Sequence, residues 1–328
     1  PFQNSNLSVR VTDEFMQAVI DDTTYQLVWD GVVVEEPRAR EIWDLICECA
    51  WETGDPGLQY DTTINKWHTV PKAGRIVSSN PCSEFLHHND TACNLASLNL
   101  LKFRTVAGFD YKLFRHCVRL LIVAQEVICN FAGYPTPEIA ENSRRYRPLG
   151  LGYCNLGALL MRSGMGYDSD EARDYAAYIT SVMGGEAYRT SAELAQLLGP
   201  FEGFAENRDA MLNVVGAHAA NSTTQFPAYS VWRDAYDMGL AHGFRNSQVT
   251  LLAPTGTIGI VMDADTTGVE PEYDLVTYKT LAGGGVARRV SGSVREALRV
   301  TGREDSAIAR AVQALETTGR IGGALDID

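Results

Sequence analysis

Asn80-Pro81-Cys82-Ser83-Glu84 places an amide, a thiol and a carboxylate one residue apart behind a proline-fixed bend, and a second thiol, Cys93, follows eleven residues after the first. In an extended segment alternate side chains share a face, so Asn80, Cys82 and Glu84 are expected to point into one pocket while Pro81 and Ser83 point away. A sulfur, a hydrogen-bonding amide and a base would then meet one small substrate. The plain alternative is a packed turn, because Asn-Pro opens turns and a free cysteine is commonly buried. The carboxylate argues against it: a Glu beside a buried thiol is costly to desolvate unless it has a partner or a task. Around Cys93, Asp90 to Leu100 alternates small and polar residues with leucines. That pattern is poor for a simple core strand and better suited to backbone that closely approaches a ligand.

Pro254-Thr255-Gly256-Thr257-Ile258 is the second constellation. It follows the apolar run Val249 to Leu252 and is expected at a strand's carboxyl end, where α/β proteins bind ligands. Glycine lets backbone approach an anion, and threonine hydroxyls with free N–H groups can hold phosphate oxygens. Taken alone, the same five residues also read as a structural turn. No Walker lysine accompanies them, which argues against nucleotide hydrolysis.

Other reactive types read as structural. His87-His88 with Asp90 lacks the spacing of a zinc site, and adjacent side chains on an extended segment diverge, so no metal is expected. Cys47 and Cys49, and then Cys117, Cys129 and Cys154, fall in apolar helical stretches and read as packing residues. Arg144, Arg145 and Arg147 read as a solvated loop before a helix.

The elements that must position these groups follow from periodicity. Helices are predicted over Asp13–Ile20, Pro37–Glu52, Tyr111–Phe131, Asn155–Ser163, Ser169–Leu198, Tyr229–Leu240, Val294–Val300 and Asp305–Thr317. Strands are predicted over Leu7–Val11, Tyr25–Trp29, Arg75–Ser79, Gln248–Leu252 and Leu275–Thr280. The alternation implies an α/β fold with a mostly parallel sheet and helices outside, open or closed. At 328 residues, 45% hydrophobic and 21% charged, the chain can bury a sizeable core. A net charge of −13 disfavours nucleic acid and anionic membrane surfaces as partners. Seven irregularly spaced cysteines suit thiols in a reducing, cytoplasmic setting. The sequence shows no signal peptide or long apolar span, and its ends read as those of an internal fragment.

Several blocks together resemble the ribonucleotide reductases, and among them the adenosylcobalamin-dependent class II enzymes. They are Asp55 to Tyr60 with Asn65 to Thr69, Asn80 to Glu84, Cys93 to Leu100, Arg147 to Gly152, Leu252 to Gly259 with Asp265 to Pro271, and Leu281 to Gly285. The short interval from Cys82 to Cys93 and the wording of Ala253–Gly259 and Asp265–Pro271 resemble class II more than the oxygen-dependent class I. The resemblance implies part of a ten-stranded α/β barrel, namely the end of the first half and much of the second, with a finger loop near residues 75–100. Residues 1–285 would form the barrel portion and 286–328 a helical, charged C-terminal segment.

By the same resemblance, a 5′-deoxyadenosyl radical from adenosylcobalamin would take hydrogen from Cys82. The resulting thiyl would abstract the 3′-hydrogen of a ribonucleotide, with diphosphates the expected substrates. Glu84 would accept the 3′-hydroxyl proton, Asn80 would hold substrate hydroxyls, and Cys93 would deliver reducing equivalents. Residues 80–84 and 254–258 would contact substrate, the latter at its phosphates. The second redox cysteine and the allosteric site are expected in an N-terminal half-barrel upstream of Pro1, and a thioredoxin-type reductant would act through a C-terminal tail. A homodimer of the complete enzyme is compatible with this picture. Three alternatives stand beside it: a non-catalytic half-barrel needing an N-terminal partner, a class I large subunit, and a thiol–disulfide protein using Cys82 and Cys93, the last disfavoured by the absence of Cys-x-x-Cys.

Overall fold

The computed structural model describes residues 5–222, 228–281 and 285–321. The chain divides into two compact units, one formed by residues 1–92, 134–146 and 202–214, the other by 93–133, 147–201 and 215–328. Each is mixed α/β, and the ladders among the described residues are two-stranded. Ala282, Gly283 and Gly284 of the glycine-rich block, and the tail after Ile321, lie outside the described residues.

In the first unit, strand Ser8–Val11 pairs in parallel with Gly57–Tyr60. The crossover contains helices Asp13–Ile20 and Ala39–Thr53, with an antiparallel hairpin, Leu27–Trp29 and Val32–Glu35, between them. Thr12 starts the first helix by accepting from the Phe15 N–H, which satisfies an otherwise orphaned donor. Val11, Phe15, Val19 and Ala39 form the core, with Ile42, Trp43 and Leu58 packed against it. Arg75 to Ser79, expected as a strand, joins no ladder. Side chains take the place of a partner strand: Asn65 Oδ1 accepts from Ile76 N at 3.0 Å, and Arg10 Nη1 donates to Ile76 O at 2.8 Å.

In the second unit, strand Asn94–Asn99 runs parallel to Leu149–Cys154, with Ser97 opposite Gly152. A bridge from Leu151 to Thr250 adds residues 248–252 beside it, although they form no continuous strand. Asn94 to Asn99 is therefore a strand, against the expectation from its composition, because its last residues Leu98 and Asn99 are buried. The amphipathic helix Tyr111–Phe131 covers it, capped by Asp110, and Asp170–Leu198 packs beside Ala228–His242. Leu156–Arg162 follows the buried strand Leu149–Cys154 directly. The hairpin of Val276–Leu281 and Gly285–Val290 leads to helices Gly292–Val300 and Asp305–Thr318, whose Val294, Leu298, Ile308, Val312 and Leu315 share a core.

Candidate active site

The segment from Asn80 to Glu84 is a tight turn, not an extended run. Ser83 N donates to Asn80 O at 3.0 Å, and Phe85 N donates to the Asn80 side-chain Oδ1 at 2.9 Å. Ser83 takes a φ of 64°, a left-handed conformation that breaks strand alternation. The expected sharing of one face by Asn80, Cys82 and Glu84 is thereby corrected: Asn80 closes the turn with its own carbonyl, which leaves its amide NH₂ for other work. Cys82 is exposed in this turn. Glu84 is half-buried, and its Oε2 is inaccessible to water and has no hydrogen-bond partner among the described residues. A buried oxygen without a donor is costly, so this atom suits a group that takes up a proton or meets a ligand hydroxyl.

The parallel strands hold this turn. Arg10 Nη2 donates to Gln59 Oε1 at 2.7 Å, and Gln59 Nε2 donates to the hydroxyls of Ser79 and Ser83 at 2.7 and 2.8 Å. Clefts of about 480 and 470 Å³ flank Asn80, one lined by Arg10, Gln59 and Pro81, the other by Phe85, His87 and His88. Arg10 carried no motif, and Gln59 and Asn65, though within blocks of the family resemblance, were given no role. Only their place on the strands and the helix before the turn could have marked them.

The second unit carries Cys93 and the loop at 254–258. A Cβ at Gly150 would stand 2.5 Å from both Cys93 Sγ and Leu251 Cδ2, and one at Gly152 would stand 2.5 Å from Leu251 O. Both glycines are thus explained by close approach: they let Cys93 and residues 248–252 close over the strand. At that strand's carboxyl end, Thr255 is buried with φ 54°, and its hydroxyl lies 3.0 Å from that of Ser97. Pro254, Gly256, Thr257 and Ile258 are exposed. The N–H groups of Gly256 and Thr257 have no partner among the described residues, and the space over Gly256 is open.

The sequence matches the model of the family described as ribonucleotide reductase, barrel domain, over residues 1–327. The chain belongs to that family. It is 46% identical over 337 residues to a vitamin B12-dependent ribonucleotide reductase of Rhodopirellula baltica, covering 98% of this chain and 32% of that protein. A protein of the same name from Streptomyces coelicolor is 45% identical, covering 98% of this chain and 35% of the relative. A more distant relative from Mycobacterium tuberculosis, named vitamin B12-dependent ribonucleoside-diphosphate reductase, is 32% identical over 85% of this chain and 36% of its own length. The chain therefore spans about a third of the length of these curated relatives.

Within this reductase barrel chain several structural expectations are revised. Arg144 and Arg145 lie in the last turn of helix Pro137–Tyr146. Arg147 is buried, where Glu126 accepts from its Nε at 2.8 and 3.0 Å and also from Arg245 and Asn246. A carboxylate with three donors around it holds the start of strand Leu149–Cys154. Cys154 ends that strand, and Cys47 is exposed. His87 and His88 do not diverge: their Nδ1 atoms are 2.8 Å apart, and both rings are buried near His68 and Tyr146. Burial, then His88 and His68, holds His87 well below the usual imidazole value. Burial likewise leads the lowering of His88 to about 4. Among the described residues no helix is long and apolar enough to cross a membrane.

Proposed function

We propose that this chain supplies the thiyl-forming turn, a redox cysteine and a phosphate loop to an adenosylcobalamin-dependent ribonucleotide reductase that makes 2′-deoxyribonucleotides. In this reading the parallel strands belong to a ten-stranded barrel and residues 75–100 to its finger loop. The supporting observation is that one turn carries both the exposed Cys82 and Glu84, whose buried Oε2 has no partner among the described residues. A coenzyme as large as cobalamin needs open access to the sulfur, and the exposure of Cys82 fits that requirement. When bound, adenosylcobalamin supplies a carbon radical able to take a hydrogen atom from a thiol.

The chain's own residues do the rest. Cys82, as a thiyl, takes the substrate's 3′-hydrogen; Glu84 accepts the 3′-hydroxyl proton, which favours departure of the 2′-hydroxyl as water. The Asn80 NH₂, with its carbonyl already engaged, orients a substrate hydroxyl. Cys93 contributes one of the two thiols whose oxidation to a disulfide supplies two electrons. The exposed N–H groups of Gly256 and Thr257 take the phosphates, with a diphosphate favoured by the name of the mycobacterial relative.

Isotope exchange in the complete enzyme tests these assignments. Cys82→Ser should lose both turnover and 3′-hydrogen exchange while still binding nucleotide, because a serine O–H bond is too strong to act as a reversible hydrogen carrier. Cys93→Ser should keep 3′ exchange and fail to release clean deoxynucleotide. Persistent 3′ exchange in the Cys82 variant would remove the basis of the proposal.

A further inference from the structure

Asn155 stands where a helix-capping residue is expected, yet its side chain does not cap. It precedes helix Leu156–Arg162 with φ 67° and ψ 27°, and its side chain accepts no bond from that helix. Asparagine tolerates this left-handed backbone better than most residues, and the conformation turns the amide away from the helix. The side chain is fully buried and its donor and acceptor are both used elsewhere. Nδ2 donates to Asn99 Oδ1 at 2.8 Å, and Oδ1 accepts from Thr266 N at 2.8 Å. The backbone adds a return bond, Asn155 N to Thr266 O at 3.0 Å. Asn99 continues the line by donating from Nδ2 to Met262 O at 3.2 Å.

These contacts bracket one segment. Residues 254–266 are held at Thr255 by Ser97, at Met262 by Asn99 and at Thr266 by Asn155. The holding residues sit in or just after two parallel strands, Asn94–Asn99 and Leu149–Cys154. Between the held points, Gly256, Thr257 and Ile258 are left exposed. We propose that Asn155, acting through Asn99 and Thr266, is a positioning residue that sets residues 256–258 for the phosphates of the ribonucleotide. This inference rests on the reading of residues 254–258 as a phosphate loop. Asn155 touches no substrate atom in it; it fixes where the loop's N–H groups point.

The test compares phosphorylated and unphosphorylated ligands in the complete reductase. Asn155→Gly keeps the left-handed backbone and deletes the amide. Asn155→Asp keeps size and the acceptor for Thr266 N but sets an oxygen against Asn99 Oδ1, and so serves if the glycine variant fails to fold. Affinity for cytidine 5′-diphosphate and for cytidine is read by saturation-transfer NMR, with Gly256→Val as a control placed directly in the loop. Both Asn155 variants should weaken the diphosphate about tenfold, the effect of losing roughly one oriented hydrogen bond, and leave cytidine unchanged. Equal weakening of both ligands would make Asn155 a general structural clamp and overturn the proposal. Unchanged diphosphate affinity in the Asn155 variants, with Gly256→Val weakened, would overturn the positioning role while leaving the phosphate loop standing. If Gly256→Val also bound the diphosphate normally, the phosphate reading would fall and this inference with it.

Discussion

A thiol and a carboxylate two residues apart are common; a carboxylate whose buried oxygen finds no donor is not. In this chain Glu84 Oε2 is such an atom among the described residues, and in the proposed reaction a substrate hydroxyl would donate to it. Glu84→Gln tests this at the scale of one atom pair. The amide is isosteric, so folding should be unaffected, while loss of the base should lower kcat in the complete enzyme by about 10²–10⁴. Circular dichroism and steady-state kinetics measured together would check it, and a variant with normal kcat would remove Glu84 from the chemistry. The residue types themselves were legible in the sequence. Their arrangement was not, because the turn is closed by Asn80 bonding to Phe85 and by Ser83 entering positive φ, neither of which alternation reveals.

At the scale of elements, the strongly amphipathic helices were legible, Tyr111–Phe131 above all, since one buried face recurs through Phe114, Val118 and Ile122. Helix Pro137–Tyr146 was not, for it opens on Pro-Thr-Pro and carries charge along its length, and Phe204–Asn221 lacks a clear apolar stripe. Long-range polar anchors were also hidden. Glu126 gathers Arg147, Arg245 and Asn246 from distant parts of the sequence, so Glu126→Ala should strip the buried Arg147 of this carboxylate while leaving its bonds to Asn130 Oδ1 and the residue-126 carbonyl. The expected loss is about 3–5 kcal/mol in urea unfolding, and a loss below about 1 kcal/mol would show that the network relaxes freely. The histidine group behind the turn makes a pH prediction of definite sign. Burial lowers His68, His87 and His88, so the unfolded chain binds more protons between about pH 6.5 and 4. Their contribution to stability is present above about pH 6.5 and is lost as the pH falls toward 4. The drop in urea midpoint from pH 7.5 to 5 should be smaller in His88→Gln than in the native sequence; an equal drop would mean that His88 does not titrate differently on folding.

At the scale of the whole molecule, electron counting sets the requirement. Reducing a ribonucleotide to a deoxyribonucleotide and water consumes two electrons, which two thiols supply by closing a disulfide. Cys93 is one of the pair in the proposed chemistry. In that proposal the other comes from outside this chain, and the relatives are about three times as long as this chain. Cys129 is a poor substitute: it is buried on the helix covering the strand, where burial raises its thiol pKa and Asn94 Nδ2 contacts its sulfur at 3.4 Å. A raised pKa depletes the thiolate needed for disulfide exchange. The 328-residue chain alone, given adenosylcobalamin, a ribonucleoside diphosphate and a dithiol, should therefore form no deoxynucleotide. Supplying the remaining polypeptide of a close relative, fused or in trans, should restore turnover, and changing the upstream cysteine of that added segment to serine should abolish it again. Chromatographic detection of deoxynucleotide decides the matter: steady turnover by the chain alone would mean that a cysteine within it, and not an upstream one, completes the redox pair.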